Sequence, residues 1–193
     1  MDKPATWFAE GHSIDSPQIQ KSIEESRHRA KESAERASKK AGWILHQTEL
    51  KSHPYLASKG FPDEGNKKFL HGQTTKGASF CMNAKGVPIF CEGYATAISV
   101  RECMKACNIR YTIYVCFSAS NMKYIARTVG EGIIIADNDP NSIGEKSAKD
   151  TGQPYWLSET VGDDFNDYHQ RVGTFRASQN LKKVLLDSKV RIS

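Results

Sequence analysis

The sequence has no long apolar run, and that absence excludes several classes of protein. No stretch approaches the roughly 20 apolar residues that cross a bilayer, so we expect no membrane partner. The N-terminal residues 1–4 show no basic segment followed by an apolar one, as a secretion signal would. We therefore expect a soluble, intracellular protein that stays in the cytoplasm.

Cysteine is scarce, and its pattern argues against disulfides and zinc. The number of cysteines is odd, and no pair has the two-residue spacing of a zinc ribbon. The five are Cys81, Cys91, Cys103, Cys107 and Cys116. Cys103 and Cys107 are four residues apart and would share a helix face, and we interpret them as packed thiols rather than metal ligands. No intrinsic zinc is expected.

Two motifs of catalytic proteins are also missing. Ser118 and Ser120 follow a predicted strand, but no Gly-x-Ser-x-Gly elbow surrounds them. A Walker-type glycine-rich phosphate loop does not occur in the chain. The sequence therefore supports neither serine-hydrolase chemistry nor a helicase module.

The composition is that of an ordinary soluble domain. The 193 residues suffice for one domain, or for a domain with an appendage. Hydrophobic residues make up 38% and charged residues 25%, close to the average for globular proteins. The net charge of +5 is compatible with a polyanionic partner but does not require one.

The N-terminal region is rich in charge and poor in apolar residues. A flexible arm is predicted for residues 1–15, which mix Pro, Gly and Ser without periodicity. With Ser16 as its cap and Pro17 in its first turn, a charged helix is predicted to run to Ala41, and Gly42 begins a second short helical segment. The charged helix fits either a solvated helix laid against the body or a helix that binds a partner or nucleic acid.

Apolar strands and helices alternate in the second half of the chain. Strands are predicted over 87–91, 111–117, 132–136 and 154–157, with helices near 94–107, 121–128 and 142–149. This alternation predicts parallel strands joined by right-handed crossovers, and the continuous apolar runs indicate strands covered on both faces. The predicted fold class is α/β: a mostly parallel, Rossmann-like sheet flanked by helices, after an N-terminal helical and basic segment.

Acidic residues follow two of the predicted strands. Glu92 comes directly after the first, and Asp137 and Asp139 come after the third. Side chains at the carboxyl ends of parallel strands gather at one edge, where clustered carboxylates repel unless a cation compensates them. Oxygen ligands of this kind suit Mg²⁺ or Mn²⁺. By itself the Asp-Asn-Asp stretch is more typical of a turn that opens a helix, but Glu92 at another strand end favours a metal site.

Three motifs together resemble the Toprim domain in their order and spacing. They are Glu92-Gly93-Tyr94-Ala95-Thr96-Ala97, Ile135-Ala136-Asp137-Asn138-Asp139 and Gly162-Asp163-Asp164-Phe165-Asn166-Asp167. More closely, the chain resembles the Toprim primases of phages and plasmids. Residues 53–60 resemble the helical linker of those primases, residues 67–80 their basic segment, and residues 120–123 a recurring loop.

The resemblance implies a division of the chain and a fold of the Toprim type. We predict a charged helical region and linker over 16–65 and a short basic strand and loop segment over 66–86. The Toprim domain would occupy 87–170, followed by a C-terminal helical tail over 171–193.

The resemblance also implies roles for the acidic residues. Glu92 corresponds to the family's general acid or base, and Asp137 and Asp139 correspond to its metal ligands. Glu92 and Asp164 would complete the metal site for Mg²⁺ or Mn²⁺. Asp163 and Asp167 belong with Asp164 to the later acidic motif, whose role is less defined.

Polar and basic residues are candidates for contacting nucleotide or nucleic acid. They are Lys68, Lys76, Asn121 and Lys123. For the lysines, an ordinary solvated surface position is an equally good interpretation.

The function implied is that of a DNA primase or primase subunit. Such a protein would make primers on single-stranded DNA from nucleoside triphosphates, with a replicative helicase or polymerase as a further partner. The upstream region is shorter than in the primases, and their zinc ribbon is missing. A Toprim nuclease and a non-catalytic regulatory module that binds DNA or protein therefore stay open as alternatives.

Overall fold

The computed structural model describes residues 17–47, 53–65, 76–82 and 85–188. Among the described residues, one compact unit contains residues 17–47, and a second contains residues 53–65, 76–82 and 85–188. The predicted arm over 1–15 and the candidate Lys68 lie outside the described residues. No helix among the described residues is both long and apolar enough to cross a membrane.

The first unit contains helix α1, which spans Pro17–Gln47. Pro17 is its first residue, as predicted, because proline lacks the N–H that a first turn leaves unpaired. The predicted new segment at Gly42 was wrong, since the helix continues through that residue. A glycine lowers the stability of a helix by only about 1 kcal/mol relative to alanine. The helical residues on both sides of Gly42 offset this loss.

The second unit is built on a five-stranded sheet with the order β1-β3-β2-β4-β5. The strands are β1 Phe80–Met82, β2 Val87–Cys91, β3 Tyr111–Val115, β4 Ile133–Ala136 and β5 Tyr155–Leu157. Only β1, which pairs with β3, is antiparallel, so the prediction of a mostly parallel sheet is confirmed. β3 ends earlier than predicted because Phe117 has a φ of 63° and turns the chain out of the sheet.

Five helices accompany the sheet. They are α2 Pro54–Ser58, α3 Tyr94–Ala106, α4 Ala119–Val129, α5 Ile143–Lys149 and α6 Phe165–Asp187, the last interrupted at Gly173. α4 begins two residues before the predicted start because Ser118 caps it, its Oγ accepting a hydrogen bond from the Asn121 N–H at 3.3 Å.

Both faces of the sheet are buried. Alternate strand residues such as Ile89, Ile113 and Ile135 face a core that includes residues of α3 and α6. Phe90 and Ile134 belong to a second core, with residues of α4 and α5. This two-sided burial explains why the strands read as continuous apolar runs.

The five cysteines are free thiols. Cys103 is fully buried in the core, and the Cys107 Sγ lies 3.4 Å from the carbonyl oxygen of Ser178. Both positions agree with the interpretation of this pair as packed thiols.

Gly144 in α5 allows the helix to approach the end of β4. A methyl group at residue 144 would lie 2.4 Å from the carbonyl oxygen of Asp137. We expect Gly144→Ala to lower the free energy of unfolding by about 1–3 kcal/mol, because the helix must move off the strand end. Urea denaturation measures the change.

Gly42→Ala is the matched control. No atom lies within 4 Å of a methyl group at that position, and alanine favours the helix by about 0.5–1 kcal/mol. Equal stability effects of the two substitutions would contradict the close approach at Gly144.

Candidate functional site

The acidic residues meet because β2 and β4 are parallel neighbours. Cys91, the last residue of β2, pairs with Ile135 in β4. Glu92 follows Cys91 and Asp137 follows the end of β4 at Ala136, so both lie at the carboxyl edge of the sheet. The pairing of β2 with β4 thus meets the condition under which Glu92 and Asp137 lie at neighbouring strand ends.

Asp137 carries a buried carboxylate oxygen with no partner. Its Oδ1 is inaccessible to solvent and accepts no hydrogen bond in the structure. Burial first, and then the negative charges of Asp164, Glu92 and Asp139, raise the pKa of Asp137 to about 7, while Lys59 acts in the opposite direction. These charges act on one another, so the four carboxylates form one electrostatic group.

Glu92 is oriented by the start of α4. The backbone N–H of Ala119 donates to its carboxylate, and the N–H of Phe117 donates to its carbonyl oxygen at 2.8 Å. Burial, followed by the charge of Asp139, raises the pKa of Glu92 above its ordinary value, and the Ala119 N–H partly offsets this. The Glu92 carboxyl group therefore keeps its proton to a higher pH than an ordinary glutamate.

The later acidic motif lies partly in a helix rather than wholly in a turn. Asp164 caps α6, its Oδ1 accepting from the Asp167 N–H at 2.8 Å, while Asp167 accepts from the Asp164 N–H at 3.3 Å. Lys59 donates to both carboxylates, at 3.2 Å to Asp164 and 2.8 Å to Asp167. Sequence reasoning gave Lys59 no role, although it lies in the linker motif.

Asn138 ties the two acidic segments together. Its N–H donates to the carbonyl oxygen of Asp163 at 3.1 Å, and its carbonyl oxygen accepts from the Gly162 N–H. Its side-chain amide donates to the Ser158 carbonyl oxygen at 2.9 Å. Asn138 therefore positions the later motif beside β4, a role that its place between two aspartates could have suggested.

Asp163 faces a different cation from Asp164. Arg171, which was not predicted, donates to the Asp163 carboxylate, and the Ser158 hydroxyl donates to the same oxygen at 3.2 Å. Arg171 follows Asp163 by eight residues, about two helical turns, and this spacing is the one sequence signal for the pairing.

The donor set suits a hard divalent cation. The charges of Glu92, Asp139 and Asp164 act on Asp137, whose orphaned Oδ1 is the kind of group that a cation satisfies. Among the described residues no three His, Cys, Asp or Glu side chains are arranged to hold an ion as they stand. Binding would therefore require these side chains to rearrange.

A basic cavity of about 380 Å³ opens at the start of α4. Lys76, Lys123, Arg127, Tyr124, Ser118 and Ser120 contribute to its lining. The Lys76 ammonium lies 5.2 Å from the centre of the Tyr124 ring, and the Lys123 ammonium lies 2.6 Å from the Asp150 carboxylate. The predicted candidates Lys76 and Lys123 are thus brought to one cavity.

Asn121, the third candidate in this cavity, is buried and already engaged. Its amide nitrogen donates to the carbonyl oxygens of Ala78 and Cys116, at 2.9 and 2.8 Å. Its oxygen accepts from the Gly77 N–H at 2.7 Å. These bonds fix the turn that carries Lys76, so Asn121 positions a basic residue.

Asp137→Asn should stabilise the protein at about pH 8 in the absence of divalent ions. The pKa of Asp137 is raised from 3.8 to about 7 in the folded protein. Protonation of Asp137 therefore contributes its whole stabilisation of the folded state below pH 3.8, and this stabilisation is lost as pH rises through about 7. Asparagine has no charge to bury. The advantage of the variant should therefore shrink as pH falls from 7 to 4, as measured by urea denaturation with chelator.

Asp150→Asn is the control of opposite sign. Hydrogen bonding to Lys123 lowers the pKa of Asp150, so its amide variant should gain no stability at about pH 8. A gain of similar size in both variants would mean a general effect of net charge.

Comparison with known proteins agrees with this architecture. Residues 88–174 match the Toprim domain family. No curated protein and no solved structure matches the chain significantly. The mostly parallel five-stranded sheet with flanking helices is consistent with the Rossmann-like α/β fold of that family.

Proposed function

We propose that this protein is a DNA primase or primase subunit that makes primers on single-stranded DNA in phage or plasmid replication. Toprim domains occur in primases, nucleases and topoisomerases, and they commonly act on nucleic acid with Mg²⁺. The domain therefore supports an enzyme that acts on nucleic acid. The choice among these three activities depends on which substrate the site can bind.

The observation that carries the primase proposal is the position of the basic cavity. Its volume lies within the range of small-ligand sites, about 300–1,000 Å³, and its lysines and arginine suit the phosphates of a nucleotide. Ser118 and Ser120, which line it, flank the Ala119 N–H that holds Glu92. A site for a free nucleotide next to the acidic group is what a polymerising enzyme needs, whereas a nuclease requires none.

In the proposed mechanism Asp137 and Asp139 would hold Mg²⁺, and Glu92 would either complete the metal site or assist proton transfer. The ion would neutralise the charge that develops on the phosphates during nucleotidyl transfer. Lys76 and Lys123 would contact phosphates of the triphosphate or of the template strand.

The cavity also offers a surface for the base. The Tyr124 side chain lines the cavity and is 46% exposed, so one face of its ring can stack on a base. Stacking tolerates any base, in keeping with a substrate chosen by its pairing to the template. The template strand, and a replicative helicase or polymerase, complete the proposed set of partners.

The decisive test is primer synthesis on single-stranded DNA with labelled nucleoside triphosphates and Mg²⁺ or Mn²⁺. We expect short products from the wild type and a loss of at least about 100-fold in Asp137→Asn, since even outer partners of a metal site matter 10- to 100-fold. Asp139→Asn should behave in the same way.

Two results would contradict this proposal. Cleavage of intact DNA without primer synthesis, abolished by Asp137→Asn, would identify a nuclease. DNA binding that is unchanged in Asp137→Asn, with neither activity in the wild type, would identify a non-catalytic module. Lys149→Met, which removes a surface lysine paired with Glu145, should keep wild-type synthesis.

Lys76→Met should weaken binding of a single-stranded oligothymidylate and lower its salt dependence. A lysine that contacts one phosphate contributes about one unit to the slope of log affinity against log salt. Fluorescence anisotropy at several salt concentrations measures this slope. Lys149→Met is again the control. If the slope falls equally in Lys149→Met, Lys76 has no specific contact with a phosphate.

A further inference from the structure

The described residues bring one lysine into the acidic group from far away in sequence. The Lys59 ammonium lies between the carboxylates of Asp164 and Asp167, and it also acts on the charge of Asp137. Only 21% of the side chain of Lys59, and the same share of Asp164, is exposed. The pair is thus sheltered from solvent, unlike an ordinary surface ion pair.

The segment that precedes Lys59 anchors it to the domain. Leu56 in α2 is fully buried in the core, and the His53 Nδ1 caps this helix by accepting from the Tyr55 N–H at 3.2 Å. Lys59 itself is held by its backbone, because the buried side chain of Asn166 donates to its carbonyl oxygen at 3.0 Å. The ion pairs of Lys59 are therefore more than a chance contact, because a buried leucine, a helix cap and a backbone hydrogen bond hold this segment in place.

The same Asn166 joins this attachment to the core. Its amide nitrogen also donates to the Ser99 hydroxyl at 2.9 Å, and its oxygen accepts from Gln170 at 2.7 Å. Asn166 is completely buried and lies in the first turn of α6, next to Asp167. The ammonium is therefore fixed relative to the carboxylates that it binds.

Positive charge is distributed unevenly over the acidic residues. Lys59 forms ion pairs with Asp164 and Asp167, and Arg171 forms one with Asp163. By contrast, the buried Oδ1 of Asp137 has no partner. The uncompensated charge therefore lies on the Asp137 side, where a cation from solution can act, and not on the Asp164 side.

We propose that Lys59 takes the place of a second divalent ion, so that the acidic site binds one ion, on the side of Asp137, Asp139 and Glu92. Asp164 then orients the site and does not coordinate the ion. This assignment rests on the proposed function in taking the site to bind a divalent metal. A lysine suits the role because its ammonium is a compact charge with three donors, which can serve two carboxylates at once.

The test counts Mn²⁺ ions bound to the full chain without nucleotide or DNA, by electron paramagnetic resonance of the free ion. We expect one ion per wild-type chain. In Lys59→Met we expect a second ion, or a first ion bound about 10-fold more tightly or better, because a nearby repelling charge is gone. Two ions in the wild type, or identical number and affinity in both proteins, would overturn the proposal.

Arg171→Met is the matched control, since it removes the other cation that pairs with this motif but leaves Lys59 in place. It should still bind one ion. The double variant Lys59→Met with Asp164→Asn should return to one ion, because the site for the second ion has lost a ligand. A second ion bound equally by Arg171→Met would show that any removed cation suffices, and would overturn the role of Lys59.

Asp164→Asn alone tests the proposal even if Lys59→Met does not fold. Asparagine caps a helix as well as aspartate does, so α6 should keep its start. Mn²⁺ affinity should fall by no more than the roughly 10- to 100-fold that an outer partner of a metal site costs, whereas the loss of a direct ligand should cost more than about 100-fold. If the ion count is as expected but no primers are made, the proposed function fails and the role of Lys59 stands.

Discussion

A buried carboxylate oxygen with no partner is the constraint around which this domain is organised. The Oδ1 of Asp137 lies at the end of a strand covered on both faces, where water cannot solvate it. Its burial follows from the parallel pairing of β2 and β4 and from the tight packing of Gly144 against the Asp137 backbone. The fold thus creates an unfavourable position for a charge, and the surrounding groups either increase that cost or offset it.

The carboxylates around Asp137 are of two kinds: those whose charge other groups of the protein compensate, and those whose charge stays uncompensated. Asp164 and Asp167 share Lys59 and cap α6, so their charges are balanced within the fold. Glu92 has the Ala119 N–H, which compensates it only in part. The uncompensated charge therefore concentrates at one end of the group, which gives a divalent cation a defined place to act.

Much of this arrangement could be predicted from the sequence. Continuous apolar runs indicated the parallel strands, and their ends place Glu92 and Asp137 at one edge of the sheet. That the two strands are neighbours depends on the strand order, which the structure supplies. The link between Lys59 and Asp167 could not be predicted, because 108 residues separate them and no local period connects them. Asn121 was predicted as a ligand-binding residue because its amide is polar, yet only the tertiary structure shows that backbone groups already occupy that amide.

Helix α4 connects the acidic group to the basic cavity. Its first N–H holds Glu92, and the flanking Ser118 and Ser120 line the cavity. The partial positive charge of a helix N-terminus falls off within one turn. The hydrogen bond to Glu92 and the part of the cavity that Ser118 and Ser120 line therefore depend on the same few backbone N–H groups. Any anion that binds in the cavity near this end competes electrostatically with the Glu92 carboxylate for them. Under the proposed function, a nucleotide phosphate there would weaken the hold of α4 on Glu92 and would thereby raise the affinity of Glu92 for a proton.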